Sequence, residues 1–132
     1  EIQKYLGEES GDIVYRKYHQ IQPLKNGCNN YQKPANLYVI ANKEKLKPFK
    51  VLNGNLGYIN VLDALNSYRL AREVNMIFNK PCATSFKHTS PTGVAYADTI
   101  ENAYKNARGC DPKSSFGDFI GISDTVDIKL VK

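Results

Sequence analysis

The chain has 132 residues, 42% of them hydrophobic and 23% charged, with a formal net charge of +5. That length suits a single domain, and that balance suits an ordinary globular core. No apolar run approaches the length of a membrane span, and no stretch within these residues has the pattern of a signal peptide.

The basic excess is scattered, apart from a cluster at Lys43, Lys45, Lys47 and Lys50. A nucleic-acid surface would gather the charge on one face and interleave it with aromatics. An anionic small molecule is therefore the better-fitting partner, and neither nucleic acid nor membrane is expected. Cys28, Cys82 and Cys110 are odd in number and far apart, without the short spacings of zinc or redox sites. Reduced thiols, no metal and a cytoplasmic location are the expectation.

In chain order, residues 1–23 read as a short helix and a lead-in segment. Leu24 to Gln32 is rich in Gly and Asn and reads as a loop. Asn36 to Ala41 predicts a buried strand and Phe49 to Leu52 a second one. Asn53 to Gly57 is a turn cluster. Val61, Leu65, Tyr68, Ala71, Val74 and Phe78 then recur at spacings of three and four, which predicts a helix with one apolar stripe. Asn60 is its expected cap, Asp63 falls in the acid-favouring first turn, and Asn79-Lys80-Pro81 ends it. Cys82 to Phe86 predicts a strand. Asp98-Thr99-Ile100-Glu101 opens a second helix, with Ile100, Ala103, Tyr104 and Ala107 inward and Gly109 at its end. Phe119 to Ile122 predicts the last strand. This alternation implies an α/β layered fold with at least one crossover connection. Ligands of such folds bind beyond strand ends, which draws attention to the loops at 53–60, 87–93 and 115–118.

One of the two histidines stands in Phe86-Lys87-His88-Thr89-Ser90-Pro91-Thr92-Gly93. Histidine is suited to moving protons near neutral pH, and a neighbouring ammonium favours the neutral, basic imidazole. Lys87 and His88 can serve one cavity only where the strand has stopped, and Pro91 with Gly93 is the expected stop. By itself this pattern also fits a solvated loop.

Several segments together resemble AICAR transformylase, the formyltransferase part of a bifunctional purine-biosynthesis enzyme that also carries IMP cyclohydrolase. The first is Val51-Leu52-Asn53-Gly54, Gly57-Tyr58-Ile59-Asn60 and Asp63-Ala64-Leu65-Asn66. The second is Ser85 to Ala95, similar to a K-H-x-[NS]-P-x-G-[VA]-A motif. The third is Ala107-Arg108-Gly109-Cys110-Asp111, Ser114-Ser115-Phe116-Gly117-Asp118-Phe119 and Ser123-Asp124. They follow family order across roughly residues 24–127.

The resemblance implies transfer of a formyl group from 10-formyltetrahydrofolate, a reduced folate, to the amine of AICAR ribonucleotide. It implies His88 as proton acceptor and Lys87 as the group that stabilises developing negative charge. It implies Lys25, Asn26, Asn60, Phe116 and Gly117 as substrate-binding residues. Lys25 and Asn26 replace a family arginine and tyrosine, so a charge is kept while a bidentate fork and a ring are lost.

The implied fold is cytidine-deaminase-like, a mixed sheet with helices packed on it. The family is longer and built of two such halves. The expected organisation is therefore a lead-in over residues 1–23 and an incomplete first half over 24–132, a fragment of a protein that forms a homodimer. A non-catalytic remnant or interaction module keeping the fold remains the alternative.

Overall fold

A computed structural model describes residues 16–40 and 49–131. The lead-in before residue 16, Ala41, and Lys43, Lys45 and Lys47 of the basic cluster lie outside them.

The chain first makes a hairpin of β1 (Tyr18–Leu24) and β2 (Ala35–Ile40), antiparallel from Tyr18↔Ile40 to Leu24↔Ala35. Residues 18–23 were expected only as lead-in, and Leu24 as the start of the loop. Their apolar pattern is weak, and the strand is formed by backbone pairing with β2, which periodicity does not reveal. β2 is half-buried to exposed rather than buried. The expected Gly/Asn loop joins the two strands and closes on itself through Gly27 N–H to the Gln32 carbonyl at 2.9 Å. Phe49 to Leu52, expected as a strand, is irregular, and Leu52 is 86% exposed.

The second sheet holds β3 (Cys82–Lys87) between β4 (Ser90–Tyr96) and β5 (Phe119–Ile122), with both neighbours antiparallel to it. β4 and β5 therefore run parallel to each other, and the chain crosses from one to the other past β3. This is the expected crossover and an α/β fold. The mixed sheet expected is not found among the described residues: every strand pairing there is antiparallel, because β3 stands between the two strands that run parallel. The helices among the described residues are α1 (Tyr58–Phe78), α2 (Ile100–Gly109), which makes the crossover, and a short α3 (Ile128–Val131).

β4 corrects the reading of Pro91 and Gly93 as the stop. Both lie inside a strand. Proline is tolerated there because β4 is an edge strand and its register slips next to Phe86↔Pro91. Gly93 faces the last turn of α2 so closely that a β-carbon would collide with the Ala107 carbonyl. The true stop is the two-residue turn His88-Thr89.

Side chains of β3 alternate between two helices. Ala83, with Ala95 and Ile122 beside it, packs on Ile100, Ala103 and Ala107 of α2. Thr84 faces α1, its hydroxyl 3.3 Å from the Ser67 carbonyl and 3.4 Å from the Gly121 carbonyl, free to donate to one at a time. A helix thus covers each face of the sheet.

The buried line of α1 is Val61, Asp63, Ser67 and Ala71, whereas Tyr68, expected inward, is 52% exposed. The reason is clearance. A β-carbon on Gly121 would stand 2.7 Å from Ser67 Cβ and 2.8 Å from its carbonyl carbon. Only small residues fit where helix and strand approach so closely, so the stripe turns by one position from tyrosine to serine. The α1 cap also differs. Gly57 is the N-cap, and Asn60 sits in the first turn with Oδ1 accepting the Gly57 N–H at 3.0 Å. In α2 the cap is Thr99, which accepts from Asn102 N–H at 3.3 Å, while Asp98 pairs with Lys80 at 2.9 Å on the surface.

At the far end of α1, Val74 and Phe78 with Val94, Ala95 and Tyr96 line an apolar hollow of about 300 Å³, roofed by the Phe78–Tyr96 stack at 4.2 Å. Cys82 is buried, and burial holds its thiol above the ordinary range; Cys28 and Cys110 are exposed, and all three are unbridged. No helix among the described residues is long and apolar enough to cross a membrane.

Gly121→Ala tests the close seating of α1. Overpacking against helix backbone should cost about 2–3 kcal/mol. Urea denaturation measures it; a loss below about 0.5 kcal/mol would mean that the helix shifts freely on the sheet.

Candidate functional site

Two loops meet the N-terminal part of α1, and a third joins them through Lys87. The first is the 25–34 loop. Lys25 N–H donates to the Leu56 carbonyl at 2.7 Å, and Tyr58 N–H donates to the Asn26 carbonyl at 3.1 Å. The backbone of Lys25 and Asn26 is thereby fixed at the mouth of the helix. The Lys25 side chain is exposed. The Asn26 amide donates to the Gly27 carbonyl at 2.8 Å. A β-carbon on Gly57 would stand 3.3 Å from Asn60 Oδ1 and 3.4 Å from Asn26 Oδ1, so both amide oxygens border the same residue. Asn26 and Asn60, far apart in sequence, are brought together there.

The second loop is the β3–β4 turn. His88 has φ 51° and Thr89 has φ 69°, the left-handed pair that a tight two-residue hairpin demands. Neither is the Asn or Gly that usually occupies such a turn, and a β-branched residue at positive φ is uncommon. The turn is tied to α1 by Asp63, whose Oδ1 accepts the Thr89 N–H at 2.7 Å. Asp63 is only 5% exposed. It lies three residues after Asn60, hence on the same side of α1. The His88 imidazole is exposed and Lys87 is half-buried.

The third loop precedes β5. Lys87 Nζ donates to the Phe116 carbonyl at 2.8 Å, leaving the ammonium two further donors. Gly117 follows with φ 69°, a conformation that suits glycine, and Phe116 is 82% exposed. Lys87, His88, Phe116 and Gly117 therefore form one contiguous group, and Asp63 connects it along α1 to Asn60 and Asn26.

Beneath Phe116 lies a polar network that sequence reasoning did not assign. Ser85 Oγ donates to Asp118 Oδ2 at 2.5 Å and, with its own proton committed, accepts from the hydroxyls of Thr92 at 2.6 Å or Ser115 at 3.1 Å. Arg108 reaches in from the end of α2. Its guanidinium donates to the Ser115 carbonyl at 2.9 Å and to the Tyr104 hydroxyl at 3.2 Å. Its Nε lies 3.3 Å from Asp118 without an aligned hydrogen bond, so that contact is charge attraction alone. The Tyr104 hydroxyl, then Asp118, holds the guanidinium above its ordinary pKa. Asp111 closes the turn ahead of the loop by accepting from Ser114 Oγ at 2.6 Å and Ser114 N–H at 3.0 Å, bonds that hold its carboxyl below the usual range.

Asp63 was expected in the first turn of α1; with Gly57 as the N-cap it falls in the second turn instead, and its role as an acceptor for the β3–β4 turn was not legible. Arg108, Ser115 and Asp118 stood inside quoted motifs, and only their three-dimensional pairing gives them a role. Together the residues offer an exposed base, an ammonium with donors to spare, carboxamides at a helix start and a glycine-bearing loop. That set can bind a polar anionic ligand and move a proton.

The AICARFT/IMPCHase bienzyme family model matches residues 1–132. Among curated proteins, the bifunctional purine biosynthesis protein PurH of Thermoanaerobacter sp. (strain X514) is 36% identical over 130 residues, covering 94% of this chain and 24% of its own length. PurH of Fusobacterium nucleatum subsp. nucleatum is 32% identical over 128 residues, with 96% and 25% covered. PurH of Elusimicrobium minutum is 32% identical over 124 residues, with 93% and 22% covered. The chain spans about a quarter of the length of these relatives.

Thr89→Gly should relieve left-handed strain and stabilise the fold by roughly 1 kcal/mol. Urea denaturation reads this directly, and a net destabilisation would show that the threonine side chain contributes more than its backbone costs.

Proposed function

Because the chain belongs to the AICARFT/IMPCHase bienzyme family, we propose that its convergent loops form the His88-bearing part of a formyl-transfer site for AICAR ribonucleotide. The observation that carries this reading is the linkage just described: Asn26 and Asn60 at the start of α1, Asp63 to the 88–89 turn, and Lys87 to the Phe116 carbonyl.

In the proposed reaction the amine nitrogen of AICAR ribonucleotide attacks the formyl carbon of 10-formyltetrahydrofolate. The aromatic amine is a poor nucleophile, so its proton must leave as the bond forms. His88, exposed at the turn, accepts it. Negative charge develops on the formyl oxygen, and the free donors of Lys87 stabilise it. Collapse breaks the bond from the formyl carbon to the folate nitrogen, which takes up a proton, giving formyl-AICAR ribonucleotide and tetrahydrofolate. Asn60 and Asn26 offer amide groups to the nucleotide, and Lys25 offers charge for its phosphate. Gly117 lets backbone approach the aminoimidazole carboxamide beside Phe116.

The role proposed for the whole protein is purine biosynthesis, in the cytoplasm, as a homodimer. On this reading the helix-covered sheet belongs to the first cytidine-deaminase-like half. The second reading, a module that keeps the fold without turnover, draws on the Asn26 amide, which is turned onto its own loop.

Calorimetric titration of AICAR ribonucleotide into the chain, beside a Lys87→Ala, His88→Ala double variant, tests the proposal. Saturable binding weakened at least about tenfold by the double variant is expected, since charge-assisted contacts are worth that much or more. Absence of binding by the folded, unaltered chain contradicts it and favours the non-catalytic reading.

A further inference from the structure

The His88-Thr89 turn raises a physical question that the proposed chemistry leaves open. Two successive residues with side chains hold a left-handed backbone, one of them β-branched. Such a pair is disfavoured unless its surroundings over-determine it, and strain of this kind gathers where a side chain must be aimed. The surroundings here are specific. β3 and β4 close the turn through the Lys87↔Ser90 pair. Lys87 is held on the Phe116 carbonyl at 2.8 Å. On the other side, the nearly buried Asp63 accepts the Thr89 N–H at 2.7 Å. A carboxylate accepting a backbone N–H is the stronger, charge-assisted kind of hydrogen bond, and one that is nearly buried is well shielded from competing water. Asp63 stands on a helix whose seating is fixed by Ser67 against Gly121, so the tether runs to a rigid element.

We infer that Asp63 is a positioning residue for His88. Its carboxylate holds the Thr89 amide and so fixes the left-handed turn that sets the direction of the His88 imidazole. It touches no substrate. The inference rests on the formyl-transfer reading for what His88 is aimed at, and on the structure alone for the tether.

The test uses this chain with Asp63→Ala and Asp63→Asn. Asparagine keeps an oxygen acceptor at the same place and loses only the charge. Each protein is measured for Thr89 amide exchange by NMR and for AICAR ribonucleotide affinity by calorimetry, well below its unfolding midpoint. Asp63→Ala should raise Thr89 exchange and weaken the nucleotide by about tenfold each, with Asp63→Asn recovering most of both. If Asp63→Ala does not fold, Asp63→Ser, whose oxygen is too short to reach, replaces it with the same expectation.

Unchanged Thr89 exchange in the alanine variant would overturn the tether. Faster exchange with unchanged affinity would overturn the positioning role, as would equal weakening by both variants without rescue. Failure of the unaltered chain to bind nucleotide would overturn the formyl-transfer reading and the role with it; the exchange data would still decide the tether, so the two failures are distinguishable.

Discussion

Helix α1 can seat on the sheet only because residue 121 has no side chain. Ser67 presses its Cβ and backbone onto that glycine, and the Thr84 hydroxyl lies against both carbonyls. The candidate site is assembled around the helix so placed. Leu56 just before it and Tyr58 at its start hold the backbone of Lys25 and Asn26, Asp63 in its second turn holds the β3–β4 turn, and Lys87 at the end of β3 reaches the loop before β5. These segments come from separate parts of the chain and share no local propensity to meet. A rigid helix is what gives them a common frame.

The opposite face works differently. α2 packs on the sheet through alanines, which allows its last turn to overlie Gly93 and brings Arg108 over Asp118 and Ser115. The resulting polar network is hydrogen-bonded at Ser85, Ser115 and Asp118, while Arg108 Nε is held by charge attraction alone, and it orients the loop carrying Phe116 and Gly117. The apolar hollow between Val74, Phe78 and Tyr96 lies at the other end of α1 and takes no part in this.

Much of the fold was legible in the sequence, and the exceptions have physical causes. α2 and β5 stand where the pattern put them, since a strong inner face and a short apolar run leave few alternatives. α1 was legible as a helix but its inward line was not. Hydrophobicity pointed to Tyr68, while clearance against Gly121 required Ser67. β4 was hidden by Pro91 and Gly93, residues that elsewhere mark turns and here serve an edge strand and a helix contact. β1 was hidden because its pairing with β2 is tertiary information.

The same division holds for the site. Lys87, His88, Asn60, Phe116 and Gly117 could be named as candidates because they stand in the motifs that carry the family resemblance. Asp63, Arg108 and Asp118 act through contacts across the fold, between residues as far apart as Asp63 and Thr89, and spacing carries no signal for these.

We propose that the three loops form one binding surface beside the first turns of α1. Mapping amide shifts of the ¹⁵N-labelled chain during addition of AICAR ribonucleotide tests it most directly. The account predicts concerted shifts at Lys25 to Gly27, Gly57 to Asn60, Lys87 to Thr89 and Phe116 to Gly117, with the Val74–Phe78 end of α1 silent. Shifts centred on that far end, or shifts at one loop without the other two, would contradict it.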